Sequence, residues 1–217
     1  MLEKLSEGFS FPQQVAAPRQ AAKQDQPEQK KIIILTEKEL TSNWLHAYLD
    51  ERKIRPAIAQ QYCREITYSY GDRSYYGIGF KNISSGFEIR RKYAKLSSSP
   101  KDITLIKNGS DKLAIFEGFT DFLSFLSLDR KTAAKGTDFL ILNSTSFFEK
   151  SIDLMNSYQT KWLYLDNDAT GHKCRDKVLS LKAGYEDRSI LYEGHKDLNE
   201  WLVNKDRPHR QQMRRGL

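Results

Sequence analysis

Two aspartates one residue apart, Asp166 and Asp168, close the apolar run in "WLYLDNDATGHK", and Gly171 follows three residues later. Carboxylates at the tip of a buried strand must face solvent, meet a basic partner or hold a metal. The placement recurs: Glu117 ends "KLAIFE" and is followed by Gly118, while Asp197 comes after "RSILYE" in "HKDLNEW". Carboxylates brought together repel unless protons or divalent cations lie among them. An oxygen-only set of this kind suits Mg2+ or Mn2+. Zinc has no ligand set here, because Cys63 and Cys174 are the only cysteines and His172 and His195 lack ligand spacing. For "LDNDATG" in isolation the alternative is a strand-turn-helix junction whose aspartates cap the helix.

The elements that must carry these acids follow a regular alternation from Lys112 onward. "KLAIFE", "DFLILN", "KWLYLD" and "RSILYE" read as four strands. Between and after them, "TDFLSFLSL", "STSFFEKSIDLMNSY" (capped at Ser144 or Thr145), "ATGHKCRDKVLSLKAGY" (ended by Gly184) and "DLNEWLVNK" read as helices. Near-continuous apolar strands separated by helices predict an α/β fold with a central parallel sheet flanked by helices. In such sheets ligands bind at the carboxyl ends of the strands. Glu117, Asp166, Asp168 and Asp197 then share one edge, with Gly118 and Gly171 allowing close backbone approach.

The preceding segment has a different character. "TEKELTSNWLHAYLDERKI" spaces Leu40, Trp44, Leu45, Tyr48 and Leu49 as a helix with Thr41 or Ser42 as cap, and "RPAIAQQYCREI" predicts a second helix near Pro56. The aromatic, β-branched and glycine-punctuated run that follows predicts a small antiparallel sheet. From Glu51 to Lys112 there are 13 Lys/Arg and 6 Asp/Glu, an excess as large as the whole chain's formal charge of +7. In "FEIRRKYAK", Arg90, Arg91, Lys92 and Lys95 sit beside Phe87 and Tyr93. Cations beside rings suit a nucleic-acid track, since the cations meet phosphates and the rings stack on bases; a solvated sheet face over core aromatics is the alternative. The expected organisation is a polar tail over 1–35, a basic α+β subdomain over 36–111, an α/β domain over 112–205 and a basic tail over 206–217. No apolar run has the length of a membrane span and the N-terminus has no signal-type core, so a cytoplasmic protein without membrane contact is expected.

"IFEGFTDFLSF", "LYLDNDATGHK" and "HKDLNEW" resemble the three motifs of the toprim domain, found in bacterial primases, topoisomerases and some nucleases. The resemblance extends upstream: "YLDERKI", "AQQYCREITY", "YYGIGFKN" and "SGFEIRRKY" look like the basic segment before toprim in primases of bacterial mobile elements. It implies DNA primase activity, the Mg2+-dependent synthesis of short RNA primers on single-stranded DNA from ribonucleoside triphosphates. A replicative or element-encoded helicase is among the implied partners. By that resemblance Glu117 is the acid/base carboxylate near the 3′ oxygen, and Asp166, Asp168 and Asp197 hold one or two Mg2+ (or Mn2+) ions. Arg90, Arg91, Lys92 and Lys95 then bind template or nucleotide phosphates, and Asp121 is expected to cap or pair within its own helix. Asn199 stands where replicative primases carry another Asp, implying a weaker or water-mediated last metal position. The N-terminal zinc ribbon of such primases has no counterpart here, and the polar tail looks like the linker that would follow it. Two alternatives are a small toprim nuclease and a non-catalytic single-stranded nucleic-acid-binding toprim module.

Overall fold

A computed structural model describes residues 31–128, 136–181 and 183–206; the tails expected before residue 31 and after residue 206 lie outside them. The first subdomain is a five-stranded antiparallel sheet in the order β1 (Ile32–Lys38), β2 (Cys63–Tyr70), β3 (Arg73–Lys81), β4 (Phe87–Arg91), β5 (Ala94–Ser97). Helices α1 (Asn43–Glu51) and α2 (Pro56–Tyr62) connect β1 to β2. Ser42 is the residue before α1, as expected, yet its hydroxyl donates to Glu65 at 2.7 Å rather than closing the helix. Residues 32–35, placed in the tail by sequence, are instead the start of β1. Four consecutive aliphatics, "IIIL", favour a strand, and β2 supplies their backbone partners.

The second sheet has the order β10 (Tyr185–Asp187), β9 (Thr160–Tyr164), β7 (Lys112–Phe116), β8 (Asp138–Ile141), β6 (Thr104–Ile106). Its first four strands are parallel, and β6 is an antiparallel edge that sequence had assigned to the preceding subdomain. Alternation along the strands feeds two cores. Ala114, Phe116, Phe139, Ile141 and Tyr164 face α3 (Phe119–Ser127), whereas Leu113, Ile115, Leu140 and Leu163 face the opposite layer, where Met155 of α4 (Ile152–Asn156) and Val178 of α5 (Ala169–Leu179) lie. The last helix, α6 (Leu198–Asn204), packs on α3.

Two expected elements differ. "STSFFEKSIDLMNSY" is not one helix but two 3-10 turns, Thr145–Phe147 and Glu149–Ser151, ahead of the short α4. Its serines bond local backbone: Ser144 Oγ accepts from the Ser146 amide and Ser151 Oγ donates to the Phe147 carbonyl, which competes with a continuous helix. "RSILYE" is a 3-10 turn over Ser189–Tyr192, and the fourth strand is the preceding Tyr185–Asp187. The Ser189 amide donates to Asp187 Oδ1 at 2.8 Å, and that Asx turn bends the chain out of the sheet.

The two sheets share one core. Phe80 of β3 stacks on Phe119 of α3 at 5.0 Å, and Tyr62 of α2 meets Phe122 edge-on at 5.0 Å. The Arg55 amide donates to Ser127 Oγ at 3.1 Å, adding a polar tie. This packing fixes the tip of the β4–β5 hairpin against the carboxyl edge of the second sheet.

Candidate active site

Glu117 follows β7 directly, and Asp121 lies in the first turn of α3. Asp166 lies just beyond β9, and Asp168 is the N-cap of α5, its Oδ1 accepting from the Thr170 and Gly171 amides at 3.0 Å each. Asp197 is the N-cap of α6, with Oδ1 accepting from the Glu200 amide at 2.7 Å. The helix-capping alternative for "LDNDATG" therefore describes one oxygen of Asp168, and Asp197 caps its own helix in the same way. Glu117, Asp121, Asp166 and Asp197 line a single cleft, and Asp168 is not part of its lining.

The opposite wall comes from the first subdomain: Arg90, Arg91, Lys92 and Lys95 of the β4–β5 hairpin all line the same cleft, with Tyr48, Arg52 and Tyr93. Their states differ. Arg90 is buried, 3.9 Å from Glu88 and stacked over the Phe119 ring at 5.2 Å, while Arg91 lies over Tyr75. Lys92 pairs with Glu51 of α1 at 2.8 Å, and Lys95 is exposed. All four expected phosphate binders thus reach one site, in graded degrees of pre-engagement.

Burial and like charge govern the acids. Burial, reinforced by Glu117 and Asp197, pushes Asp166 up to about 7 from 3.8, although Lys196 Nζ stands 3.9 Å away. Burial, then Asp168, raises Glu117; Lys95, the Asp166 amide and Lys196 oppose the rise. Glu117 Oε2 is buried without a hydrogen-bond partner among the described residues. An orphaned carboxylate oxygen beside other acids is under-compensated for negative charge, which fits a divalent cation. Among the described residues no three or more Asp, Glu, His or Cys side chains are grouped so as to hold a metal ion on their own, so water and substrate phosphates would have to complete its shell.

Two side chains differ from expectation. Asp121 is buried, and its Oδ1 accepts from the Asn199 amide of α6 at 3.1 Å, so it serves a neighbouring helix rather than its own. Burial first, then Asp197 and Asp166, raises its carboxyl well above the ordinary range. Asn199 is fully engaged: Oδ1 accepts from Arg52 Nη1 at 3.0 Å, and Nδ2 donates to the Arg52 carbonyl at 2.9 Å and Ser124 Oγ at 2.8 Å. Its side-chain amide ties the end of α1 to the second subdomain.

Sequence reasoning missed Arg175. Buried under the acidic loop, it donates through Nη1 to the Leu165 and Asp166 carbonyls at 2.9 and 3.1 Å, and through Nη2 to Asn167 Oδ1 at 3.1 Å. Asn167 Nδ2 donates onward to the His195 carbonyl at 3.0 Å, and its amide to the Lys196 carbonyl. The Asp166 and Asp197 loops are thus held as one unit. Gly171 is required there, since a Cβ would lie 2.0 Å from the Asp166 carbonyl oxygen. At Gly118 a Cβ would meet nothing nearer than Asp121 Oδ2 at 3.6 Å, so packing does not demand that glycine.

Comparison with known proteins agrees with this architecture. Residues 114–202 match the Toprim-like family, and residues 34–99 match a domain of unknown function, DUF8464. The fold is similar to the primase fragment of the bacteriophage T7 primase-helicase protein, with a TM-score of 0.54 and 18% identity over 76% of this chain and 72% of that one. It is also similar to a chain in a complex of the bacteriophage T7 lagging-strand DNA polymerase with primase domains bound to an RNA/DNA hybrid and dTTP, with a TM-score of 0.52 and 17% identity over 72% of this chain and 84% of that one. No curated protein sequence matches the chain. The chain thus shares its fold with a primase fragment and carries a toprim-like domain over residues 114–202.

Proposed function

We propose that the chain is the catalytic core of a DNA primase, joining ribonucleotides on a single-stranded DNA template with Mg2+ or Mn2+ as cofactor. The observation that carries this reading is one cleft with carboxylates on the toprim-like wall and the Arg90–Lys95 cations on the wall opposite. An acidic site alone also suits hydrolysis of nucleic acid; the facing cations favour binding a triphosphate and template together. The T7 relative is part of a primase-helicase protein, and by that analogy a helicase is the proposed protein partner.

In this reading Asp166 and Asp197 would hold the cation, with Asp168 close by. When bound, it neutralises phosphate oxygens and lowers the pKa of the attacking hydroxyl. Arg90, Arg91, Lys92 and Lys95 orient the triphosphate and template backbone. Glu117, made more basic by burial, accepts the proton of the 3′-hydroxyl as its oxygen bonds to the α-phosphorus. The bond from the α-phosphorus to the bridging oxygen breaks, and pyrophosphate leaves with the electron pair. Tyr93, 88% exposed at the hairpin tip, and the exposed Trp44–Tyr76 pair offer rings for template bases.

The test supplies labelled ribonucleotides, single-stranded DNA and Mg2+ to the wild type and to Asp166→Ala. Alkali-labile oligomers from the wild type alone are expected. Shortened DNA would assign a nuclease, and no product from either protein with DNA binding intact would assign a binding module.

A further inference from the structure

Glu117 and Lys95 also border a second cavity, of about 600 Å3, whose lining does not include Asp166 or Asp197. Its lining is of another kind: the hydroxyl-bearing Ser97, Ser144, Thr145 and Ser146, two of which, Ser144 and Ser146, also bond each other at 3.0 Å, with Lys101 joining Lys95. The loop after β8 that carries three of these hydroxyls is anchored. Asn143, at φ 63°, donates through Nδ2 to the Asp102 carbonyl at 2.8 Å and to Thr104 Oγ1 at 3.1 Å. Glu88 also borders the cavity, but it faces Arg90 at 3.9 Å.

Strand synthesis brings two substrates to one point, a 3′-hydroxyl and a triphosphate, and so requires two subsites that meet at the proton acceptor. Two cavities meeting at Glu117 have that arrangement. The cleft, with several cations and the acids, suits the more highly charged triphosphate. The second cavity, with two lysines and neutral hydroxyls, suits a nucleotide carrying one phosphodiester and ribose hydroxyls.

We infer that the cavity bounded by Lys95, Lys101 and the Ser144–Ser146 hydroxyls holds the 3′-terminal ribonucleotide of the strand being extended. This rests on the primase reading, and names where the growing end sits within it. Lys101 meets the last phosphodiester, and the hydroxyl row hydrogen-bonds the terminal ribose.

The test uses the full chain and an RNA/DNA hybrid whose recessed RNA ends in 4-thiouridine, irradiated and mapped by peptide. Adducts within residues 95–101 or 144–147 are expected. Thr145→Tyr, which fills the cavity, and Lys101→Ala, which keeps its shape, are each expected to weaken hybrid binding about fivefold to tenfold, a change of order 1 kcal/mol. Binding of a fluorescent ATP analogue is expected to stay within about twofold, the limit below which no contact is resolved. Adducts on Tyr48 or Arg90–Tyr93, or equal weakening of both ligands, would remove this site and leave the primase reading standing. A wild type that binds no hybrid at all would remove both.

Discussion

At the scale of the residue, burying acids beside one another carries a cost that pH should reveal. Asp166 has a folded-state value of about 7 against 3.8 ordinarily, so between those values the folded protein keeps a proton that the unfolded chain has released. The contribution of Asp166 to stability is therefore greatest below about pH 4, falls between about 4 and 7, and is level above that. In thermal melts with a chelator, Asp166→Asn is expected to flatten that decline and to be more stable than wild type at pH 8 by about 1–3 kcal/mol; an unchanged slope would contradict the assignment. Arg175→Met should do the reverse, losing about 3–5 kcal/mol because it strips a buried guanidinium from two carbonyls and Asn167. Chemical denaturation measures the loss, and Arg175→Lys should recover part of it. The acids were legible in the sequence because each ends or follows an apolar run. Asp121, Asn199 and Arg175 were not: Asn199 meets Asp121 from 78 positions away and Arg52 from 147, and nothing local in "GHKCRDK" sets Arg175 apart from a surface arginine.

At the scale of the element, the β4–β5 hairpin is the part to which the proposed function assigns template binding. Tyr93 is exposed at its tip and packs on little but the Lys92 ammonium, 6.0 Å from its ring, so Tyr93→Ala should leave folding intact. If the ring stacks on a base, single-stranded DNA affinity falls by about 1–3 kcal/mol, which fluorescence anisotropy at fixed salt would read; unchanged affinity would place the template elsewhere. The antiparallel character of the first sheet, three of the four parallel strands and α3 could be read from periodicity and glycine punctuation. The turn at Ser189–Tyr192 could not, because "SILY" has strand composition and only the Asp187 side chain, bonding the Ser189 amide, diverts it. The serine-rich loop after β8 was misread for a related reason: side chains that bond local backbone break a helix that the apolar spacing alone supports.

At the scale of the whole molecule, the two sheets cannot be separated without opening the cluster around Phe80, Phe119 and Phe122. Phe122→Ala is expected to cost about 3–5 kcal/mol and to lower a single unfolding transition that tryptophan fluorescence and circular dichroism report together. Two separated transitions would mean that the halves fold independently. This joint is what turns an acidic sheet edge and a basic hairpin into one cleft. Sequence held both parts but not their apposition, which depends on ring packing between residues about 40 positions apart or more and on the Arg52–Asn199 pair. Nucleotidyl transfer between the facing walls is the proposed activity. Its most direct measurement is single-nucleotide extension of an oligoribonucleotide annealed to DNA, in Mg2+, comparing wild type with Glu117→Gln. The expected result is addition of one ribonucleotide by the wild type and a loss of about a hundredfold or more in the variant, the scale of a general base. Equal extension by both proteins, or none by the wild type on a hybrid that it binds, would contradict it.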